Sequence, residues 1–127
     1  GVAFDYTPEM LSGAKKVLFW NKNFQLDLAD VTKMKYESNQ FQTVNVANAF
    51  HCFPEPELAA KEIFRVVKPG GVLAVNMLIH PSGPLKSISQ RINEWGKKTK
   101  ILVSPMSVEQ TKHLFTQAGF SILESEL

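Results

Sequence analysis

The sequence predicts an α/β fold built on a mostly parallel sheet with helices on both faces. Two observations lead there. Within residues 41–79, two apolar runs at 44–50 and 71–79 flank a segment in which Leu58, Ile63, Val66 and Val67 recur at helical spacing, so the order is strand, helix, strand. Upstream, an apolar run at 1–5 is followed by Met10, Leu11, Ala14, Val17 and Leu18 on one helical face, which repeats the step from strand to helix. Strands joined through helices cross over right-handed and lie parallel, so their C-terminal ends share one edge of the sheet.

Each element has local reasons. After the strand at 1–5, Thr7, Pro8 and Glu9 supply an N-cap, a first-turn proline and an early acid, and the helix they open ends near Trp20. Residues 23–29 alternate and then run apolar, which fits a second parallel strand near the sheet's outer side. After the strand at 44–50, Pro54 and Pro56 mark a helix start; Pro69-Gly70-Gly71 stops that helix and turns the chain into the strand at 71–79. Leu85, Ile88, Ile92 and Trp95 give another helix, ending near Gly96. Ser107 as N-cap, with Gln110 at the capping-box position, opens the last helix, whose core face is Val108, Leu114, Phe115 and Ala118. Gly119 ends it, and residues 120–123 begin a final strand.

The 127 residues, 44% hydrophobic and 20% charged, suffice for one domain with a core and are too few for two. A net charge of +2 with both signs scattered points to no nucleic-acid and no membrane partner, and Lys97, Lys98 and Lys100 read as a solvated helix end. One cysteine, Cys52, excludes an internal disulfide and multi-cysteine zinc arrangements, so no metal is expected and a reducing cytoplasm is the expected location. No apolar run approaches the ~18 residues of a membrane span, and no basic leader with a cleavage site marks secretion.

Phe41, Val44, His51, Pro54, Pro56, Glu62, Arg65, Val66, Lys68, Pro69, Gly70 and Gly71 fall in one familiar order and spacing. With Asp5, Thr7, Met10 and Leu11 upstream and Ala118-Gly119-Phe120 downstream, the chain resembles the class I, Rossmann-like S-adenosylmethionine-dependent methyltransferases of the small-molecule subgroup. The resemblance covers residues 1–79 well, 105–124 moderately and 80–104 hardly at all. Lys-Pro-Gly-Gly sits in that fold on the edge opposite the ligand crevice and serves as a turn.

The resemblance implies S-adenosylmethionine as cofactor and assigns roles at the sheet's edge. Asp5, with Tyr6 beside it, would bind the ribose hydroxyls, a task suited to a carboxylate accepting two hydrogen bonds. Read alone, Asp5 begins a turn or helps cap the helix. Counting back from Phe41 without a gap places Asp30 at the acid that accepts a hydrogen bond from the adenine amino group, with Val31 offering backbone and an apolar wall; Asp27 competes for that role. Ala47 and Asn48 fall beside the methionine part. His51 and His80 are the candidate catalytic groups, as substrate contacts or bases. His51 reads equally as a residue at the helix start that hydrogen-bonds the loop, and His80 equally as a solvated loop residue. Cys52 and the Glu62–Arg65 pair read as structural, since adjacent residues such as His51 and Cys52 seldom face each other productively. Met34-Lys35-Tyr36 stands where relatives usually carry Leu-Pro-Phe, and Gln42 where they usually carry Asp.

Relatives begin with a strand running into Asp/Glu-x-Gly-x-Gly-x-Gly, whose bare backbone lets a cofactor approach closely. The glycines here, Gly1, Gly13, Gly70, Gly71, Gly83, Gly96 and Gly119, form no such pattern. The expectation is therefore a single, partial methyltransferase domain over residues 1–127, lacking the first strand, with the last edge strand cut short, and belonging to a longer polypeptide. The first strand would be central, so its loss leaves either a gap or a direct new pairing of its neighbours, and an unpaired edge there would invite association with a second copy. The leading functional expectation is methyl transfer to a small-molecule substrate, catalysed by in-line positioning and by a base where the nucleophile must lose a proton. The alternative is a non-catalytic binding or assembly module derived from the same fold. A nicotinamide-binding half fits less well, because its glycine fingerprint is equally absent.

Overall fold

The computed structural model describes residues 1–20, 23–79, 94, 96, 98, 103 and 105–126. The chain divides into two compact units, Gly1–Tyr36 and Glu37–Leu127.

The first unit is strand, helix, strand. β1 (Val2–Asp5) and β2 (Gln25–Leu28) pair in parallel, from Val2 opposite Gln25 to Asp5 opposite Leu28. α1 (Pro8–Val17) forms the crossover between them. Pro8 is tolerated in the first turn because its missing N–H would have no intrahelical partner there. Thr7 has the extended N-cap backbone, φ −107° and ψ 129°, but its hydroxyl makes no cap bond. The helix stops at Val17 rather than near Trp20, because Leu18 leaves helical geometry at φ −90° and ψ 7°. Phe19 and Trp20 lie beyond it, edge to face at 5.0 Å. Leu11, Val31 and Met34 are buried in this unit, and the ring of Phe4 lies 6.0 Å from that of Tyr36.

The second unit holds β3 (Phe41–Ala47), a 3-10 turn (Phe50–Cys52), α2 (Pro56–Val66), β4 (Val67–Asn76) and α3 (Val108–Ala118). β3 and β4 pair in parallel, with Val44 opposite Leu73, Val46 opposite Val75 and Ala47 opposite Asn76. Together with the β1–β2 pair this bears out the α/β class and its parallel strands. Along both strands the valines and leucine of one face are half-buried, while Thr43, Asn45, Val72 and Ala74 on the other are exposed.

In the second unit the structure departs from the sequence reading at β3, at β4 and after the last helix. β3 ends at Ala47, not Phe50: Asn48 takes the left-handed φ of 51°, which no strand continues through, and Phe50 turns inward to full burial. β4 begins at Val67, not Gly71. Val67 is already extended at φ −77° and ψ 133° and pairs with Phe41, and the ladder resumes at Thr43 opposite Val72, so residues 68–71 are a bulge within the strand. Gly70 has φ 74°, and a Cβ on Gly71 would sit 2.7 Å from the carbonyl oxygen of Gln42, so each glycine is needed for its own reason. The third difference is after α3. Gly119 ends that helix at φ 113°, but residues 120–126 form no strand. A strand requires a partner edge, and these residues make no ladder with the described ones; Phe120 instead packs edge to face on Phe64 at 5.0 Å.

The core of the second unit lies where α2 and α3 meet the 3-10 turn. Ala59, Ala60, Ile63 and Val66 of α2, Leu114 and Phe115 of α3, and Phe50 are buried. The Phe50 ring is 4.9 Å from Phe115 and 5.2 Å from Phe53. Full burial of one large apolar side chain stabilises by about 1.5–3 kcal/mol, so this cluster dominates the unit. The capping box of α3 is formed: Ser107 Oγ accepts the Gln110 N–H at 3.2 Å, and Gln110 Oε1 accepts the Ser107 N–H at 2.9 Å. Of the helix expected from Leu85 to near Gly96, only Glu94 and Gly96 lie among the described residues; both are helical, as is Lys98, which is exposed. No helix among the described residues is long and apolar enough to cross a membrane.

Candidate functional site

The first unit brings Asp5 and Asp30 to one rim. Asp5 is the last residue of β1, its carbonyl accepts the Ala29 N–H at 3.0 Å, and Asp30 follows directly beyond β2. The same device orients both acids. Asp5 Oδ1 accepts the Thr7 N–H at 2.8 Å and the Thr7 hydroxyl at 2.9 Å. Asp30 Oδ1 accepts the Thr32 N–H at 2.9 Å and the Thr32 hydroxyl at 2.7 Å. In each case one carboxylate oxygen is tied down and the other takes no hydrogen bond among the described residues, although Asp30 Oδ2 pairs with the exposed Lys33 at 3.8 Å. The Thr32 backbone N–H, then its hydroxyl, hold the Asp30 carboxyl below the usual carboxylate range. Asp5 therefore does start a turn, but the Thr7 hydroxyl serves the acid rather than the helix end.

Asp27, the competitor for the adenine role, is already engaged. Its Oδ2 accepts the Tyr36 hydroxyl at 2.9 Å, and Gln25 Nε2 donates to both its oxygens at 3.0 and 3.1 Å. Burial, and then the bond to Asp27, push the Tyr36 hydroxyl up to about 12. Val31 is buried beside Asp30, while Tyr6 is 74% exposed.

The second unit brings Ala47, Asn48 and His51 together at the ends of β3 and β4. Ala47 closes the ladder opposite Asn76, and the Asn48 N–H donates to the Asn76 carbonyl at 2.7 Å. Asparagine tolerates the left-handed conformation better than other residues with a Cβ, so the chain can turn sharply here with an exposed amide at the tip. His51 is buried, and its Nδ1 accepts the Leu78 N–H at 3.2 Å. Burial pulls its pKa down. Cys52 beside it is exposed, and desolvation pushes its thiol up, away from the thiolate a nucleophile needs. Arg65 Nη2 lies 2.6 Å from Glu62 Oε1, the structural pair expected on α2. His80 lies outside the described residues. Among the described residues, no group of three or more His, Cys, Asp or Glu could hold a metal ion.

The family profile described as "Methyltransferase domain" matches residues 1–75. The chain belongs to the methyltransferase-domain family. An Arabidopsis thaliana protein, uncharacterized methyltransferase At1g78140, chloroplastic, is 33% identical over 72% of this chain and 29% of its own length. A demethylmenaquinone methyltransferase of Staphylococcus saprophyticus is 25% identical over 94% of this chain and 59% of its own. Among solved structures, a Bacillus halodurans protein assigned as a methyltransferase superposes with a TM-score of 0.84 at 24% identity, over 97% of this chain and 54% of that one. This last likeness shows the fold, a Rossmann-like methyltransferase sheet. The chain thus spans about half of that structure and between about three-tenths and three-fifths of the two relatives.

For a methyltransferase-domain chain, the residue missed by the sequence reading is Thr32, and Thr7, read as a helix N-cap, is the partner of Asp5. The signal was there: Asp5-Tyr6-Thr7 and Asp30-Val31-Thr32 repeat Asp-x-Thr at the ends of adjacent parallel strands, a pattern in which side chains bond locally to backbone. The Tyr36–Asp27 bond had no such signal.

Proposed function

We propose that this methyltransferase-domain chain holds S-adenosylmethionine and takes part in methyl transfer to a small-molecule acceptor. S-adenosylmethionine would supply an electrophilic methyl group on a sulfonium. Asp5 would take the ribose hydroxyls and Asp30 the adenine amino group, with Val31 as an apolar wall and Ala47 and Asn48 on the methionine side. The observation that carries this reading is the pair of acids on one rim, each with one oxygen fixed by threonine and the other without a hydrogen bond among the described residues. Two hydroxyls and an amino group are all donors, so acceptor-only carboxylates match them. The engagement of Asp27 with Tyr36 and Gln25 favours Asp30 over it. The relative named a demethylmenaquinone methyltransferase supports a small-molecule acceptor. Residues 1–75 span both units in one family match, which supports reading them as one domain. His80 is the candidate acceptor contact, and a reducing cytoplasm suits the lone cysteine.

Calorimetric titration with S-adenosylmethionine tests this, with Asp5→Ala and Asp30→Ala alongside under conditions where all three are folded. Saturable binding that each variant weakens by about tenfold or more supports the reading. Binding that is indifferent to both substitutions rejects the assignment of the acids. No binding by the parent chain would favour a binding or assembly role instead.

A further inference from the structure

We propose that His51 is a positioning residue, a neutral clamp that fixes the turn carrying Asn48, and that it is not a base. The residue is only 2% exposed, yet it is polar. Its Nδ1 accepts the Leu78 N–H, so Nδ1 is the unprotonated ring nitrogen and the proton sits on Nε2. A general base needs an available lone pair; this ring has one nitrogen occupied by Leu78 and the other already protonated. Burial keeps it neutral, which preserves the acceptor.

Three segments meet at this residue. Its side chain holds Leu78, beyond β4, and its carbonyl oxygen accepts the Val103 N–H at 3.1 Å. Those two segments are joined in turn by the parallel bridge between Ile79 and Met106. Asn48 therefore lies between two anchors on the same strand end, its own N–H on Asn76 and His51 on Leu78. A left-handed residue with a side chain persists where its surroundings over-determine it, and the two anchors supply that constraint. The consequence for ligand binding rests on the reading above that Ala47 and Asn48 face the cofactor's amino-acid end.

The test compares His51→Asn with His51→Gln in the whole chain. The asparagine amide oxygen falls close to where Nδ1 was, whereas glutamine carries its amide one carbon further, where Nε2 was. Two ligands are titrated: S-adenosylhomocysteine, and 5′-methylthioadenosine, which lacks the amino-acid arm. The expected result is that His51→Asn binds S-adenosylhomocysteine within about twofold of the parent, while His51→Gln loses about tenfold or more and keeps its methylthioadenosine affinity. Nitrogen-15 spectra of the parent's imidazole should show the Nε2–H tautomer, a measurement that needs no variant to fold. A proton on Nδ1 overturns the proposal, as does a glutamine variant that weakens both ligands equally or matches asparagine. If the parent binds neither ligand, the cofactor reading fails separately. The clamp is then decided by exchange of the Leu78 amide: slow in parent and His51→Asn but fast in His51→Gln upholds it, and equal rates overturn it.

Discussion

At the rim of β1 and β2, Asp5 and Asp30 are held by threonines two residues along the chain, at 2.7–2.9 Å, on half-exposed loops. At the ends of β3 and β4, the turn carrying Asn48 is held by a histidine bonded across 27 residues and by Phe50, whose side chain is fully buried and packs on Phe115 of α3. A short-range hydrogen bond can be lost without disturbing anything beyond one carboxylate. A long-range anchor cannot, because it also fixes the packing of the elements it joins. The two units should therefore fail differently, one residue at a time in the first and cooperatively in the second.

The sharpest way to break that contrast is Phe50→Ala. Removing a fully buried phenylalanine that touches Phe53 and Phe115 should destabilise the protein by about 3–5 kcal/mol, read by chemical denaturation. A loss under about 1.5 kcal/mol would mean the 3-10 turn is not integrated with the α2–α3 core, and the comparison would collapse. Next in size is the left-handed turn. Asn48→Ala should destabilise by about 1–2 kcal/mol, because alanine resists a φ of 51° without asparagine's local hydrogen bonding. Asn48→Gly should leave stability nearly unchanged while removing the amide. Together the two variants separate the backbone shape from the side chain's contacts: equal loss of S-adenosylhomocysteine binding in both assigns the role to the amide, and loss in Asn48→Ala with binding kept in Asn48→Gly assigns it to the backbone shape.

The strand–helix order, the parallel pairing, the prolines opening α1 and α2 and the capping box of α3 were legible in the sequence, since each depends on residues within a few positions. The bulge at 68–71 was not, because Pro69-Gly70-Gly71 permits either a turn or a bulge, and the choice rests on Val67 finding Phe41 across the sheet. Phe50 read as strand for a similar reason: an apolar residue after an apolar run carries no mark of the core it fills. At the site, the acids were legible as acids, but their partners were split. Asp-x-Thr is a local pattern and could have been read twice; the Leu78 N–H on His51 and the Tyr36 hydroxyl on Asp27 are set by folding and leave no trace in spacing.

Smaller effects sharpen the local side of the comparison. Thr7→Ala and Thr32→Ala each delete one of two hydrogen bonds and leave the backbone donor in place. A bond of this kind contributes about 0.5–1.5 kcal/mol, so ligand affinity should fall roughly 2- to 10-fold, with serine at either position restoring it. The losses should be specific: Thr7→Ala should weaken adenosine but not its 2′,3′-dideoxy analogue, and Thr32→Ala should weaken adenosine but not purine riboside, which lacks the amino group. If each substitution weakened binding of every ligand alike, the two acids would not be independently held.

The smallest effect is the titration of Asp30. Its folded-state pKa lies below the ordinary carboxylate value, so the group contributes stability that is fully present above the unfolded value and is lost as pH falls through the folded one. The largest cause is the Thr32 N–H, then the Thr32 hydroxyl, and last the attraction of Lys33, whose side chain is 81% exposed. An ion pair that exposed is screened by water and salt. Carbon-13 titration of the Asp30 carboxyl should therefore move up in Thr32→Ala, where only the backbone donor persists, and move up less in Lys33→Ala. A larger shift in Lys33→Ala than in Thr32→Ala would show that charge rather than the threonine turn holds this carboxylate, and the likeness between the two acids would end there, since Asp5 shows no such cation partner among the described residues.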